Sequence, residues 1–403
     1  MTISRRKLLA AGSAAAALAA LPRRLMAQAA DLHRDLLVFD PHADVPGDFG
    51  QGRHEAGVDG DTQVDLPKLT RGGVGAIGLA AFVPQGPRTA DGFEAAWLRT
   101  RAKLAAIRAV AAQHPDKAAL AVSADQIRAA HKAGRTAIVP TFLNAYALGR
   151  DPARLDWLAS QGVRIAGLVH ANHNDWADSS RPAANGPAAE HGGLSALGRE
   201  GVRRLNDLGV AIDVSQLSAA ALEQTLKLTR VPVLASHSGV RALVDVSRNL
   251  SDAELDLIKV NGGVVHIVAY NRYLANPPAD FAAREAGIRA RWGLKPGEND
   301  RDRLDDEQVT RLHGEINALI PRANVSTLAE QVAYAARRIG VDHVGIASDF
   351  NHGGGIIGWM DSSEAPGVTA ALLARGFSAS EIGKIWSGNA LRVLAAAEAG
   401  RRS

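Results

Sequence analysis

The sequence contains no cysteine. Disulfides, thiolate nucleophiles and cysteine-ligated zinc or iron–sulfur sites are thereby excluded. Any metal must be held by histidine, aspartate, glutamate, asparagine or glutamine. No cysteine is available for lipid attachment either, so the mature chain is expected to be soluble. Aromatic side chains are scarce, at 4% of 403 residues, which argues against a nucleic-acid binder that stacks bases. No G-x-G-x-x-G fingerprint follows a strand, and no phosphate loop ends in Gly-Lys-Ser/Thr, which disfavours a nucleotide site. Apolar residues make up 46% of the chain, enough for one large core or two ordinary domains.

The formal charge of +4 invites a nucleic-acid or membrane reading, but its source is local. The first 29 residues hold Arg5, Arg6, Lys7, Arg23 and Arg24 and no acid. An apolar run from Leu8 to Leu21 follows the first basic group, and Ala27-Gln28-Ala29 has the A-x-A cleavage pattern. This is the layout of a secretory signal peptide. The run is shorter than the roughly 20 residues of a membrane span. Ser4-Arg5-Arg6-Lys7-Leu8-Leu9 looks like a twin-arginine export signal, so a periplasmic location is expected. Cleavage after Ala29 leaves 41 basic against 42 acidic residues, and the argument for a nucleic-acid partner disappears.

Residues 30–403 read as a single domain. Eight short apolar runs read as strands: Leu36–Phe39, Val74–Val83, Thr136–Phe142, Arg164–Val169, Val210–Val214, Val231–Ala235, Val264–Ala269 and Val344–Ala347. Helical patterns separate them, among them Trp97–Ala111, Ser195–Leu208, Leu328–Ile339 and Glu381–Ala397. Ser218 is a cap candidate, and Ser251 with Glu254 has capping-box spacing. The alternation points to an α/β fold, a closed (β/α)8 TIM-type barrel, with an open sheet covered on both faces as the other topology. The charged stretch from about 271 to 323 is too long for an ordinary loop and reads as an excursion over the barrel mouth.

Polar residues gather at the expected strand ends. His42 and Asp44 follow the first, His170 the fourth, Gln216 the fifth, His237 the sixth and Asp349 the eighth. In a barrel these ends share one mouth. His42 and Asp44, two apart on extended chain, point the same way, and an imidazole with a carboxylate can bind a divalent metal. Taken singly, His237 also reads as a satisfied buried imidazole and Asp349 as a turn cap.

The same residues carry a resemblance. The stretches Asp40-Pro41-His42-Ala43-Asp44-Val45-Pro46, Asn144-Ala145-Tyr146-Ala147-Leu148-Gly149 and His170 through Ser180 resemble the membrane dipeptidase (renal dipeptidase) family of zinc peptidases. So do His191-Gly192-Gly193-Leu194, Pro232 through Ser238, Ser247-Arg248-Asn249-Leu250, Gly345 through Phe350 and Trp386 through Leu394. The resemblance implies a barrel holding two zincs about 3.5 Å apart. It assigns His42 and Asp44 to one zinc and His237 to the other, with a glutamate after strand three bridging them and a second histidine after strand five. It gives Asp349 the proton transfer, and His170 and Arg248 the substrate, the arginine through a carboxylate. A homodimer is a further implication.

Two positions depart from that pattern. Leu143 stands where the bridging glutamate belongs, and Gln216 where the second histidine belongs. Leucine cannot bind a metal, and an amide oxygen is a weak ligand. The expected site is therefore reduced: one divalent metal, zinc first, held by His42, Asp44, His237 and Asp349 with weak help from Gln216, or no tight metal. His173, Asp175, His266 and His352 are candidate substitutes, with His266 preferred as a pocket residue. Three functions follow: a single-metal hydrolase of dipeptides or related amides, a different reaction on a peptide-derived metabolite, or a non-catalytic binder. Some periplasmic relatives are associated with peptide siderophore maturation, and the chain resembles that branch. The expected partner is a small molecule with a carboxylate.

Overall fold

The computed structural model describes residues 23–50, 54–183, 185–298, 300, 303–304 and 306–402. The twin-arginine stretch lies outside the described residues. Nine strands form: β1 (Val38–Asp44), β2 (Val74–Phe82), β3 (Ala118–Leu120), β4 (Thr136–Leu143), β5 (Ile165–Gly167), β6 (Ala211–Asp213), β7 (Leu234–Ser238), β8 (Val264–Val268) and β9 (Val344–Ala347). All pair in parallel in the order β1-β2-β4-β5-β6-β7-β8-β9, with β3 attached only to β4. Beyond β9, Phe350 bridges back to Ala43 of β1, and the Asp349 amide donates to the His42 carbonyl at 3.0 Å. The eight expected strands thus form a (β/α)8 barrel. β3 was not expected, because three residues carry too little pattern to register.

The eight barrel strands are buried at every residue, whereas β3 is fully buried only at Ala118. Their near-continuous apolar runs suit a parallel sheet covered by helices. Helix starts follow the capping chemistry. Ser195 accepts from the Gly198 amide, Ser218 from Ala221, and Ser251 and Glu254 complete a capping box. The helix expected over Glu381–Ala397 is interrupted by a π-helical turn at Lys384–Gly388.

Two features bear on the site. First, β1 runs past Phe39 to Asp44, so His42 and Asp44 lie within the strand, beside a register shift between Asp40 and Ala43. Gly78 of β2 permits this, since a Cβ there would stand 2.1 Å from the Pro41 carbonyl oxygen. Second, the 271–323 excursion contains helices Asn271–Leu274, Phe281–Arg291 and Asp306–Asn317. Ile288, Leu294, Leu312 and Ile316 give it a small core of its own. The Asn271 side chain accepts from the Ala323 amide at 2.7 Å, pinning its two ends together. Asn185, in the loop after β5, donates to the Gly297 carbonyl at 2.8 Å.

A helix spans Arg23–Asp35, across the expected cleavage point, and Ala29 is buried in it. His33 on that helix bonds Thr369 at 2.7 Å and the Gly72 carbonyl at 2.8 Å.

Candidate metal centre

β1 places His42 Nε2 3.9 Å from Asp44 Oδ1. Asp349 turns into the same space from the end of β9, with its Oδ1 3.6 Å from His42 Nε2. Its φ of 56° is left-handed, which is strained for a residue with a side chain and is the kind of conformation that gathers at functional sites. His42 Nε2 and Asp44 Oδ1 are both buried and without a hydrogen-bond partner. Two facing orphans of this kind are costly unless something joins them. An imidazole nitrogen and carboxylate oxygens are the donor set that zinc accepts, so the residues fit a divalent ion. His42, His237 and Asp349 also offer ligand atoms within 4.8 Å of one another.

The surrounding groups fix charge and orientation. His352 bonds the other oxygen of Asp44, Oδ2, leaving Oδ1 free for the centre. Burial pushes the Asp44 carboxyl up, but the charge and hydrogen bond of His352, with His42, bring it below its ordinary value. Burial raises Asp349 to about 6, which lets it hold or release a proton near neutrality. Asp40 bonds the amides of His42 and Ser348, tying β1 to the turn that presents Asp349.

On the far side of the mouth the imidazole and amide groups already have partners. His237 stacks on His42 with ring centroids 3.8 Å apart. Its Nδ1 lies 2.6 Å from Ser236 Oγ, which donates in turn to Asp213 at 2.5 Å. Its Nε2 lies 3.0 Å from the Gln216 amide nitrogen. The Gln216 oxygen accepts from Arg181 Nη2 at 3.1 Å, and the same nitrogen lies 3.2 Å from His170 Nε2. Burial, then Arg181, holds His170 well below its ordinary pKa, and burial, then His42, does the same for His237.

A family model described as membrane dipeptidase (Peptidase family M19) matches residues 26–403. The chain belongs to this family. The crystal structure of the probable dipeptidase PvdM from Pseudomonas aeruginosa is 38% identical, with a TM-score of 0.87, covering 94% of this chain and all of that one. Dipeptidase tcpJ of Claviceps purpurea is 29% identical over 339 residues, 82% of this chain and 68% of that protein. Dipeptidase 3 of Rattus norvegicus is 27% identical over 378 residues, 92% of this chain and 67% of that protein. The chain is thus a hydrolase of the membrane dipeptidase family, whose members are zinc metallopeptidases.

Against that family pattern, Leu143 ends β4 with its side chain buried, and a Cβ on Gly167 would meet its Cδ1 at 2.8 Å. It is packing, not a ligand. Of the four candidate substitutes, only His352 reaches the centre. His266 Nδ1 bonds the Ala235 carbonyl at 3.0 Å, its ring lies against Gly345, and burial lowers its pKa to about 4. His173 is held by the Pro187 carbonyl and the Ser179 amide, and Asp175 by Arg88 and Arg150. Arg248 donates to the carbonyls of Ser215 and His237, the latter at 2.8 Å, beneath the Tyr273 ring. Arg181 escaped the sequence reading. It directly follows Ser179-Ser180, and only folding of the loop after β5 brings it to Gln216.

Proposed function

We propose that the chain is a single-metal hydrolase of dipeptides or related small amides that carry a carboxylate. The observation that carries this is the facing pair of buried, unpartnered atoms, His42 Nε2 and Asp44 Oδ1, with Asp349 beside them. His42, Asp44 and Asp349 would hold the ion, with His237 adjacent. A divalent metal there supplies Lewis-acid polarisation of an amide carbonyl. The chain's own groups do the rest. Asp349 would take up and return the proton through a carboxylate oxygen not given to the ion. His170, kept neutral, accepts from Arg181 at its Nε2. His352 and Asp40 keep Asp44 and the β1 backbone in place. A second ion finds Leu143 in place of a bridging carboxylate and Gln216 already bonded to His237, so one ion is the reading supported here.

The test is hydrolysis of a panel of dipeptides by zinc-loaded protein, with His42→Ala beside it. Turnover that His42→Ala abolishes together with bound zinc supports the reading. Turnover that survives in metal-stripped protein sinks it. We further propose that the protein works in the periplasm, on the strength of the twin-arginine stretch and cleavage pattern. Among the described residues no helix is long and apolar enough to cross a membrane.

A further inference from the structure

The loop after β9 carries Asp349 and His352 and runs into Gly353-Gly354-Gly355. Asp349 and Asn351 both have left-handed backbone, with φ of 56° and 63°. Two such residues with side chains, so close together, persist only where the surroundings impose them. One residue distant in sequence does much of this. Gln63 lies between β1 and the helix Leu66–Arg71. Its amide donates to Asn351 Oδ1 at 2.9 Å, and the Asn351 amide donates back to Gln63 Oε1 at 2.8 Å. Gln63 Nε2 donates to the Gly354 carbonyl at 2.9 Å and to the Met360 carbonyl at 2.7 Å. The Gln63 carbonyl accepts from the Ser362 amide at 3.0 Å.

Every polar atom of Gln63 is thus committed to the stretch 351–362, and none of these bonds goes to a side chain of the metal centre. Asn351 passes the hold inward, because its Nδ2 donates to the Asp44 carbonyl at 2.9 Å. The loop then closes on itself, with the Asp349 carbonyl accepting from the Gly354 amide at 2.9 Å. A Cβ on Gly354 would stand 2.1 Å from the Ser348 carbonyl oxygen, and one on Gly355 2.8 Å from Gln63 Nε2. The glycines here serve close packing.

We propose that Gln63 is a positioning residue for Asp349 and His352. It fixes the loop so that Asp349 faces His42 and His352 holds Asp44, and it acts through Asn351 and Gly354 without touching ion or substrate. A glutamine end suits this work, since it offers an acceptor for one amide and two donors for two carbonyls. The consequence for zinc rests on the metal reading proposed above.

The experiment compares wild type with Gln63→Met, Gln63→Asn and Thr62→Ala by zinc calorimetry, and by hydrogen exchange of the metal-free proteins. Gln63→Met keeps the length and removes all three side-chain bonds. It should bind zinc about tenfold more weakly, the low end for groups that orient metal ligands. Exchange over residues 348–356 should rise by more than exchange in the helix Ala196–Leu208, the mark of local loosening. Gln63→Asn, one methylene short of reaching both ends, should lie between wild type and Gln63→Met, and it serves alone if Gln63→Met does not fold. Thr62→Ala loses a bond to Val64 within the same segment and should change neither reading. Unchanged zinc affinity in the folded Gln63 variants overturns the proposal, as does an equal loss in Thr62→Ala. If wild type retains no zinc, the metal reading fails by itself and exchange decides for Gln63. A rise confined to 348–356 then supports the proposal, and a uniform rise or none overturns it.

Discussion

His42 offers the clearest single-residue test, since its Nε2 is orphaned and no other described side chain answers it. His42→Ala should lower zinc affinity and activity together by about 100-fold or more, read by metal titration and turnover. Asp349→Asn should leave the fold intact and cut kcat by roughly 100- to 10,000-fold. If zinc binding falls instead with kcat per bound zinc unchanged, Asp349 is only a ligand and its proton-transfer role is wrong. The residues of this centre were readable in advance because they sit at strand ends, where local pattern and barrel geometry agree. Arg181 was not, because its place depends on the path of a loop that has no period to read.

At the scale of elements, β1 and β2 meet where Gly78 lets the Pro41 carbonyl close in, and that bulge aims His42. Gly78→Ala sets a Cβ against backbone that has little room to move. It should destabilise the protein by about 1–3 kcal/mol in denaturant unfolding and lower zinc affinity as well. Stability lost with zinc affinity unchanged would show that the bulge does not set the site. β8 yields a pH prediction. His266 is neutral when buried, with its pKa lowered to about 4 from 6.5. The unfolded chain therefore binds the extra proton first as pH falls. Stability should drop from pH 6.5 to about 4, by roughly 3 kcal/mol from this group at most, and level off below. His266→Gln should flatten that slope by up to one proton, and an unchanged slope would contradict the assignment. Sequence pattern found the eight barrel strands because each is a buried apolar run flanked by helical spacing. It missed β3, which is short and pairs with one neighbour, and it ended β1 early because Pro41 looks like a strand stop.

For the molecule as a whole, the barrel brings distant ends of the chain to one mouth and divides it into a metal-seeking half and a cationic half. Both departures from the family pattern, at Leu143 and Gln216, fall on the second side. Leu143 and Gln216 remove the second ion's ligands, and Arg181 supplies a positive charge on that side. The export proposal is checked by N-terminal sequencing of protein recovered from the periplasm, with a start at Ala30 expected. A start at Met1 or retention in the cytoplasm would contradict it. Metal number decides between a single-ion centre and the alternatives. Zinc titration of chelator-stripped wild type, read by elemental mass spectrometry after desalting, should saturate at one ion per chain. Saturation at two, or no retained zinc at all, would contradict it.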